Sequence, residues 1–232
     1  MRSLYWFRND LRLNDNLSLN LAVKNSDAIL FVHINDIPKE INYPWRLLEI
    51  GQHRKLFLSQ GLSELKKNLS KYGHQLNLYT DNSVRILSNL VKKYQIDTIY
   101  CELINAPDEI KQIKLLEDMK INVVSFFHSS LFMQNQLPFS VAELPNIFSD
   151  FRKAIESGEV KPNEPVSISK NIFNIKPITD NQSVMLDTYP LDYSKSSFPI
   201  TQKNFIGGEE SGIVYLKKYF QSNKAESYKH TR

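Results

Sequence analysis

Four charged residues near the start of the chain, Arg8, Asp10, Arg12 and Asp15, have the most distinctive chemical spacing in the sequence. They follow Leu4-Tyr5-Trp6-Phe7, an apolar and aromatic run with the character of a strand buried on both faces. Two guanidiniums and two carboxylates beside such a strand are expected to satisfy one another by forked hydrogen bonds, because little water reaches a low-dielectric edge. Ion-pair networks of this kind are more often structural than catalytic, so the first reading is a tie between the opening turn and whatever packs over it. At the other end, Lys229, His230 and Arg232 form a basic cluster suited to phosphates, though a solvated charge run is the default for such residues. The histidines (His33, His53, His74, His128 and His230) stand singly and without metal-ligand spacing, so no metal site is expected. No nucleophile–base pair can be argued. Cys101 is the only cysteine, which excludes a disulfide framework, and it reads as a small hydrophobe at the end of a strand.

The elements that must position these groups alternate. Asn14, Asp15 and Asn16 are helix-capping types, and the apolar-rich stretch from Leu17 to Val23 follows as a first helix. Residues 28–34 form a second apolar run of strand length, closed by Asn35-Asp36-Ile37-Pro38. Residues 45–72 read as a long helix on the spacing of Leu58, Leu62, Leu65, Leu69 and Tyr72, with Gly51 and Gly61 as points that could divide it and Gly73 as its C-cap. Strands over 75–79, 97–102 and 121–127 alternate with helices over 83–95 and 107–120. Five strands alternating with four helices predict an α/β fold, a doubly wound five-stranded parallel sheet over residues 1–128. No Gly-x-Gly-x-x-Gly or Walker loop is present and the chain has only seven glycines, which excludes the usual dinucleotide site. A ligand should still lie at the carboxyl ends of the strands, near the reversal of strand order.

From residue 129 the alternation stops. Leu144-Pro145 leads into a short helix near Phe151-Arg152-Lys153, and residues 158–206 hold five prolines among serines and asparagines. Residues 129–206 therefore read as a connector that wraps a surface between two domains. Gly207-Gly208-Glu209-Glu210 then opens a helix whose apolar stripe is Ile213, Leu216 and Phe220. The 41% apolar and 23% charged composition is that of an ordinary globular protein, and a net charge of +4 permits nucleic-acid contact without driving it. No apolar stretch reaches 18 residues and Arg8 interrupts the first apolar run, so no membrane partner is expected and the expected location is cytoplasmic.

Trp6-Phe7-Arg8-Asn9-Asp10-Leu11-Arg12-Leu13, followed by Asp15-Asn16 and Leu19, resembles the opening of the photolyase/cryptochrome family. Asn14 stands where many members carry histidine or aspartate. Leu137-Pro138-Phe139, Leu144-Pro145 and Phe151-Arg152-Lys153 are similar to the inter-domain region of the DASH-type cryptochromes. Gly207-Gly208-Glu209 through Tyr228, Thr231 and Arg232 looks like the entry to the all-helical flavin domain, so residues 207–232 would be the truncated start of that domain. The resemblance implies a parent that uses FAD and blue light to split cyclobutane pyrimidine dimers, in single-stranded DNA. It also implies that Tyr228 lines the FAD site and that Arg232 contacts DNA.

For a light-harvesting antenna the resemblance implies two alternatives. In one, Asp108 and Glu109 hydrogen-bond a folate, methenyltetrahydrofolate. In the other, Asn9 and Asn35 line a deeper, flavin-like site at the ends of the first two strands. This portion alone is expected to hold no FAD, since one tyrosine cannot enclose a flavin. Its uncovered inter-domain face is expected to favour self-association. The rival readings are a non-repair cryptochrome photoreceptor and a stand-alone α/β nucleotide-binding module. The latter would be favoured if the native chain ended at Arg232.

Overall fold

The computed structural model describes residues 1–36, 52–182, 184 and 206–222. Its centre is β1 (Arg2–Phe7), flanked on one side by β2 (Ala28–Asn35) and on the other by β4 (Thr98–Glu102). With β3 (Leu76–Thr80) and β5 (Val123–Phe126) the order is β3-β2-β1-β4-β5, all parallel. The order reverses between β1 and β4, so the carboxyl ends of those strands diverge into a crevice.

Period-two alternation along β1 divides the core between the two faces. Tyr5 and Phe7 join Phe31 under α1 (Leu17–Asn25) and α2 (Gln52–Ser70), against Leu19, Val23, Leu65 and Leu69. Leu4 and Trp6 join Leu30 and Val32 under α3 (Ser83–Tyr94) and α4 (Pro107–Asp118), against Leu87, Leu90, Ile113 and Leu116. Each such side chain contributes about 1.5–3 kcal/mol by leaving water. The helices begin where their caps stand. The Asn16 side chain accepts from Leu19 N at 3.0 Å, and Asn82 accepts from Arg85 N at 3.0 Å. Pro107 occupies the first turn of α4, where its missing N–H costs nothing.

Gly61 does not divide α2, which runs unbroken to Ser70, and Gly73 follows with a φ of +80°. The expected start of that helix, from residue 45, lies outside the described residues.

The sheet has a sixth strand that the sequence does not announce. β6 (Lys176–Pro177) pairs in parallel with Ala28 and Ile29. It covers the part of the β2 edge left open by β3, whose own pairing begins opposite Phe31. Proline suits such an edge because it has no ladder N–H to leave unpaired. Ile172, Ile175 and Ile178 around β6 are buried, the first of them completely. Part of the expected connector is thus core, and the sheet unit extends past residue 128. Before it lies α5 (Phe148–Ser157), where only Ile155 is buried.

The final described helix is α6 (Glu209–Gln221). Its start is docked on α2. Gly207 N donates to Gln60 Oε1 at 2.9 Å and Glu210 N donates to Glu64 Oε1 at 2.7 Å, both on α2. A β-carbon on Gly207 would run into the Phe57 carbonyl, so this approach requires glycine. Among the described residues, no helix is long and apolar enough to cross a membrane.

Candidate functional site

The opening charges do not pair as expected. Arg8 donates from Nη1 to the Glu102 carbonyl at 3.3 Å and from Nη2 to Gln112 Oε1 at 2.8 Å and the Glu109 carbonyl at 3.5 Å. Its guanidinium lies 4.5 Å from the centroid of the Trp6 ring. Among the described residues, the hydrogen-bond acceptors of the Arg8 guanidinium are all neutral. Burial lowers its pKa, with Glu109, Glu102 and Asp10 opposing that shift from a distance.

Asp10 instead accepts from the Tyr5 hydroxyl, from Asn16 Nδ2 at 2.9 Å and from Arg8 N at 3.0 Å. Arg12 donates from Nε and Nη2 to the Asp15 carbonyl at 3.1 and 2.9 Å, not to its carboxylate. The Asp15 N–H donates to the Val166 carbonyl at 2.6 Å. The physical reason for this departure is supply: the fold offers amides, a phenol and backbone carbonyls at the right places. A carboxylate satisfied by neutral donors needs no cation beside it. The network does tie the opening turn to its surroundings, but through partners about a hundred residues away.

One cleft opens at the crevice between the strand ends, with a volume of about 600 Å³. Arg8 and Asn9 after β1, His33, Asn35 and Asp36 at the end of β2, and Glu109 and Gln112 on α4 line it. Asn9, Asn35 and Glu109, taken from two alternative sites in the sequence, therefore stand on one cavity. Asp108 is not among its lining residues and lies exposed at the first turn of α4. Phe57 and Gly61 of α2 and Gly208 and Glu209 at the start of α6 form a further wall.

A hydrogen-bonded chain runs along the polar side. Gln112 accepts from Arg8 and donates through Nε2 to Asp36 Oδ2. Asp36 in turn accepts from Ser83 Oγ at 2.6 Å and Ser83 N at 3.1 Å, at the start of α3. His33 is buried, and its Nδ1 lies 3.0 Å from the Phe7 carbonyl. A carbonyl only accepts, so Nδ1 carries the hydrogen and Nε2 is left as a lone-pair acceptor. That Nε2 is buried and has no hydrogen-bond partner among the described residues. Burial also lowers the His33 pKa, which keeps the ring neutral.

This donor and acceptor set fits a flat heteroaromatic ring. Amide groups of Asn9 and Asn35 and the Glu109 carboxylate suit ring N–H and carbonyl edges, while Trp6 and Phe57 add aromatic surface. Arg8 and Arg54 supply positive charge for an anionic substituent.

Tyr228 and Arg232 lie outside the described residues. Among those described, no cluster of three or more His, Cys, Asp or Glu could hold a metal ion. Cys101 is fully buried with its thiol pushed up to about 12 by burial, as befits a packing residue. Sequence reasoning missed His33, Asp36, Gln112 and Glu209. The first two end an apolar run at a strand's carboxyl end, a position that could have marked them. Gln112 carries no such signal.

Comparison with known proteins agrees with this fold. A family model described as DNA photolyase matches residues 3–167. The chain is 30% identical over 233 residues to the cryptochrome DASH of Idiomarina loihiensis, a match that covers 99% of the chain and 49% of that relative. Among solved structures, a Synechocystis cryptochrome superposes with a TM-score of 0.83 at 26% identity, over 100% of this chain and 49% of that one. A bacterial class III photolyase from Agrobacterium tumefaciens gives 0.76 at 25% identity, over 97% of this chain and 46% of its own. The chain spans about half the length of the relatives it matches.

Proposed function

The chain belongs to the DNA photolyase family, and from that premise we propose that it is the N-terminal light-harvesting and docking portion of a cryptochrome DASH-type photolyase. The observation that carries this reading is the convergence of Asn9, Asn35, Glu109 and His33 on one cleft at the reversal of strand order. The cleft would take an antenna chromophore, a flavin or a folate, in place of two separate sites. Bound there, that group would absorb light and pass excitation to the FAD of the parent.

The work of this chain's own residues is binding and orientation. Arg8, fixed by Gln112 and two carbonyls, offers charge without needing to move. Asp36, anchored on Ser83, holds Gln112 in the orientation that leaves its carbonyl oxygen for Arg8. Trp6, beneath Arg8, closes the floor against water. The proposal extends to the parent, which would use reduced FAD to split cyclobutane pyrimidine dimers in single-stranded DNA, with Tyr228 at the flavin and Arg232 at the DNA backbone.

Reconstitution tests the cleft directly. The purified chain is titrated with FAD and, separately, with methenyltetrahydrofolate, following ligand fluorescence. One equivalent of one of them should bind, and Asn35→Leu should weaken that binding by about tenfold through the loss of a buried polar contact. Binding of neither, or binding indifferent to Asn35→Leu, would contradict the assignment.

A further inference from the structure

Glu209 belongs to two structures at once. It lines the cleft, and its carboxylate also accepts hydrogen bonds from Leu13 N at 2.9 Å, Asn14 N at 3.0 Å and Asn14 Nδ2 at 2.9 Å. Those donors sit on the loop between β1 and α1, whose Leu11 and Arg12 line the same cleft. One carboxylate at the first position of α6 therefore fixes the arginine-bearing wall of the cavity. The neighbouring Gly208 makes the fit possible. Its φ of +125° is a backbone conformation that favours glycine, and a β-carbon there would collide with the Glu64 carboxylate. At Gly61 a β-carbon would stand 3.6 Å from Leu11 Cδ1 and 3.8 Å from Gly208 N, so loop, α2 and α6 meet at one point.

We infer that Glu209 is a positioning residue that couples occupancy of the cleft to the docking of α6. The inference rests on the cleft reading above. A ligand that touches both the Leu11–Arg12 wall and the Gly208–Glu209 wall binds better when α6 is seated, because the wall is then already ordered. The coupling is reciprocal: what the seated helix adds to ligand affinity, the ligand adds to the seating of the helix. The neighbouring ion pair does not do this. The Lys71–Glu210 pair, at 3.1 Å, is exposed and lies outside the cleft, where an ion pair contributes little. In a longer relative, the chain that follows α6 would be pressed onto the sheet unit more firmly when the antenna is in place.

The test uses the whole chain with FAD and methenyltetrahydrofolate as the probes. Fluorescence titration gives Kd for the wild type, Glu209→Gln and Glu210→Gln, and amide hydrogen exchange is followed with and without the probe that binds more tightly. Glu209→Gln, which keeps one acceptor and loses the charge, should raise Kd about tenfold, within the usual range of coupling free energies. Glu210→Gln should leave Kd within about twofold. In the wild type, ligand should slow exchange at Leu13, Asn14 and the first turns of α6, and it should do so less in Glu209→Gln. Equal Kd in wild type and Glu209→Gln, or an equal loss in both variants, overturns the role of Glu209 and leaves the cleft standing. Binding of neither probe by the wild type overturns both.

Discussion

Single buried residues set the behaviour of this protein toward acid. His33, His74 and His128 are buried, and burial lowers the pKa of each below the ordinary value of 6.5. For His128 the nearby Asp10 carboxylate, 3.8 Å from Nε2, opposes the shift without reversing it. Below the ordinary value an unfolded histidine takes up a proton that the folded ring does not. The unfolded state then binds more protons, and stability falls with pH until the folded values are passed. Glu102 works in the other direction. Burial, and then Asp10, raises its pKa, so between 4.5 and its raised value the folded state holds the extra proton and gains as pH drops. Three histidines against one carboxyl give a net loss, of up to about 1.4 kcal/mol per pH unit for each histidine in its window. The urea midpoint should therefore be clearly lower at about pH 5.5 than at about pH 7.5. An unchanged midpoint would mean that the rings are already charged in the fold.

At the scale of elements, the connector is the part whose energetic role most exceeds its appearance. Ile172 is fully buried, and its carbonyl accepts from His74 Nε2 at 2.8 Å, whereas the adjacent Phe173 is largely exposed. Asp180, a few residues on, is buried and accepts from the Tyr79 hydroxyl at 2.6 Å and from Lys93 at 3.0 Å. Ile172→Ala should cost about 2–5 kcal/mol in urea unfolding, while Phe173→Ala should cost no more than about 0.5–1.5 kcal/mol, the worth of its ring contact with Tyr72. Equal effects would show that the strap is not part of the cooperative unit. The central strands were legible because β1 and β2 are buried on both faces and so read as continuous apolar runs. The helices were legible from their caps, Asn16 and Asn82, and from Pro107. β6 was not, because two residues carry no period, and the only hint was isoleucine recurring at 168, 172, 175 and 178 among polar residues. The partners of Arg8 were illegible for a related reason. Gln112 and the Glu102 and Glu109 carbonyls are chosen by the crossing of β4 and α4 past β1, and backbone carbonyls leave no mark in a sequence.

Over the whole molecule, the uneven distribution of burial sets how the chain behaves in solution. The sheet unit is closed on both faces, yet α6 has no buried residue among those described, and Leu216 and Phe220 are 53% and 75% exposed. Ile213 and Val214 are exposed beside them, and Leu131, Ile147 and Phe148 are exposed on the connector. A helix of 13 residues is marginal in water on its own, and contacts through Gly207, Glu209 and Glu210 hold its first turn. The stripe of α6 is thus a surface that gains by being covered, whether by the further length that the relatives possess or by another copy. Covering by another copy is the case that solution measurements can test. Sedimentation should show association that rises with concentration, and the double variant Leu216→Glu, Phe220→Glu should return the monomer. Because neither side chain enters the core, that variant should keep the urea midpoint of the sheet unit. A monomer at every concentration would refute the idea that this stripe drives association. A midpoint that fell with the double variant would instead place α6 inside the cooperative unit, held by more than its first turn.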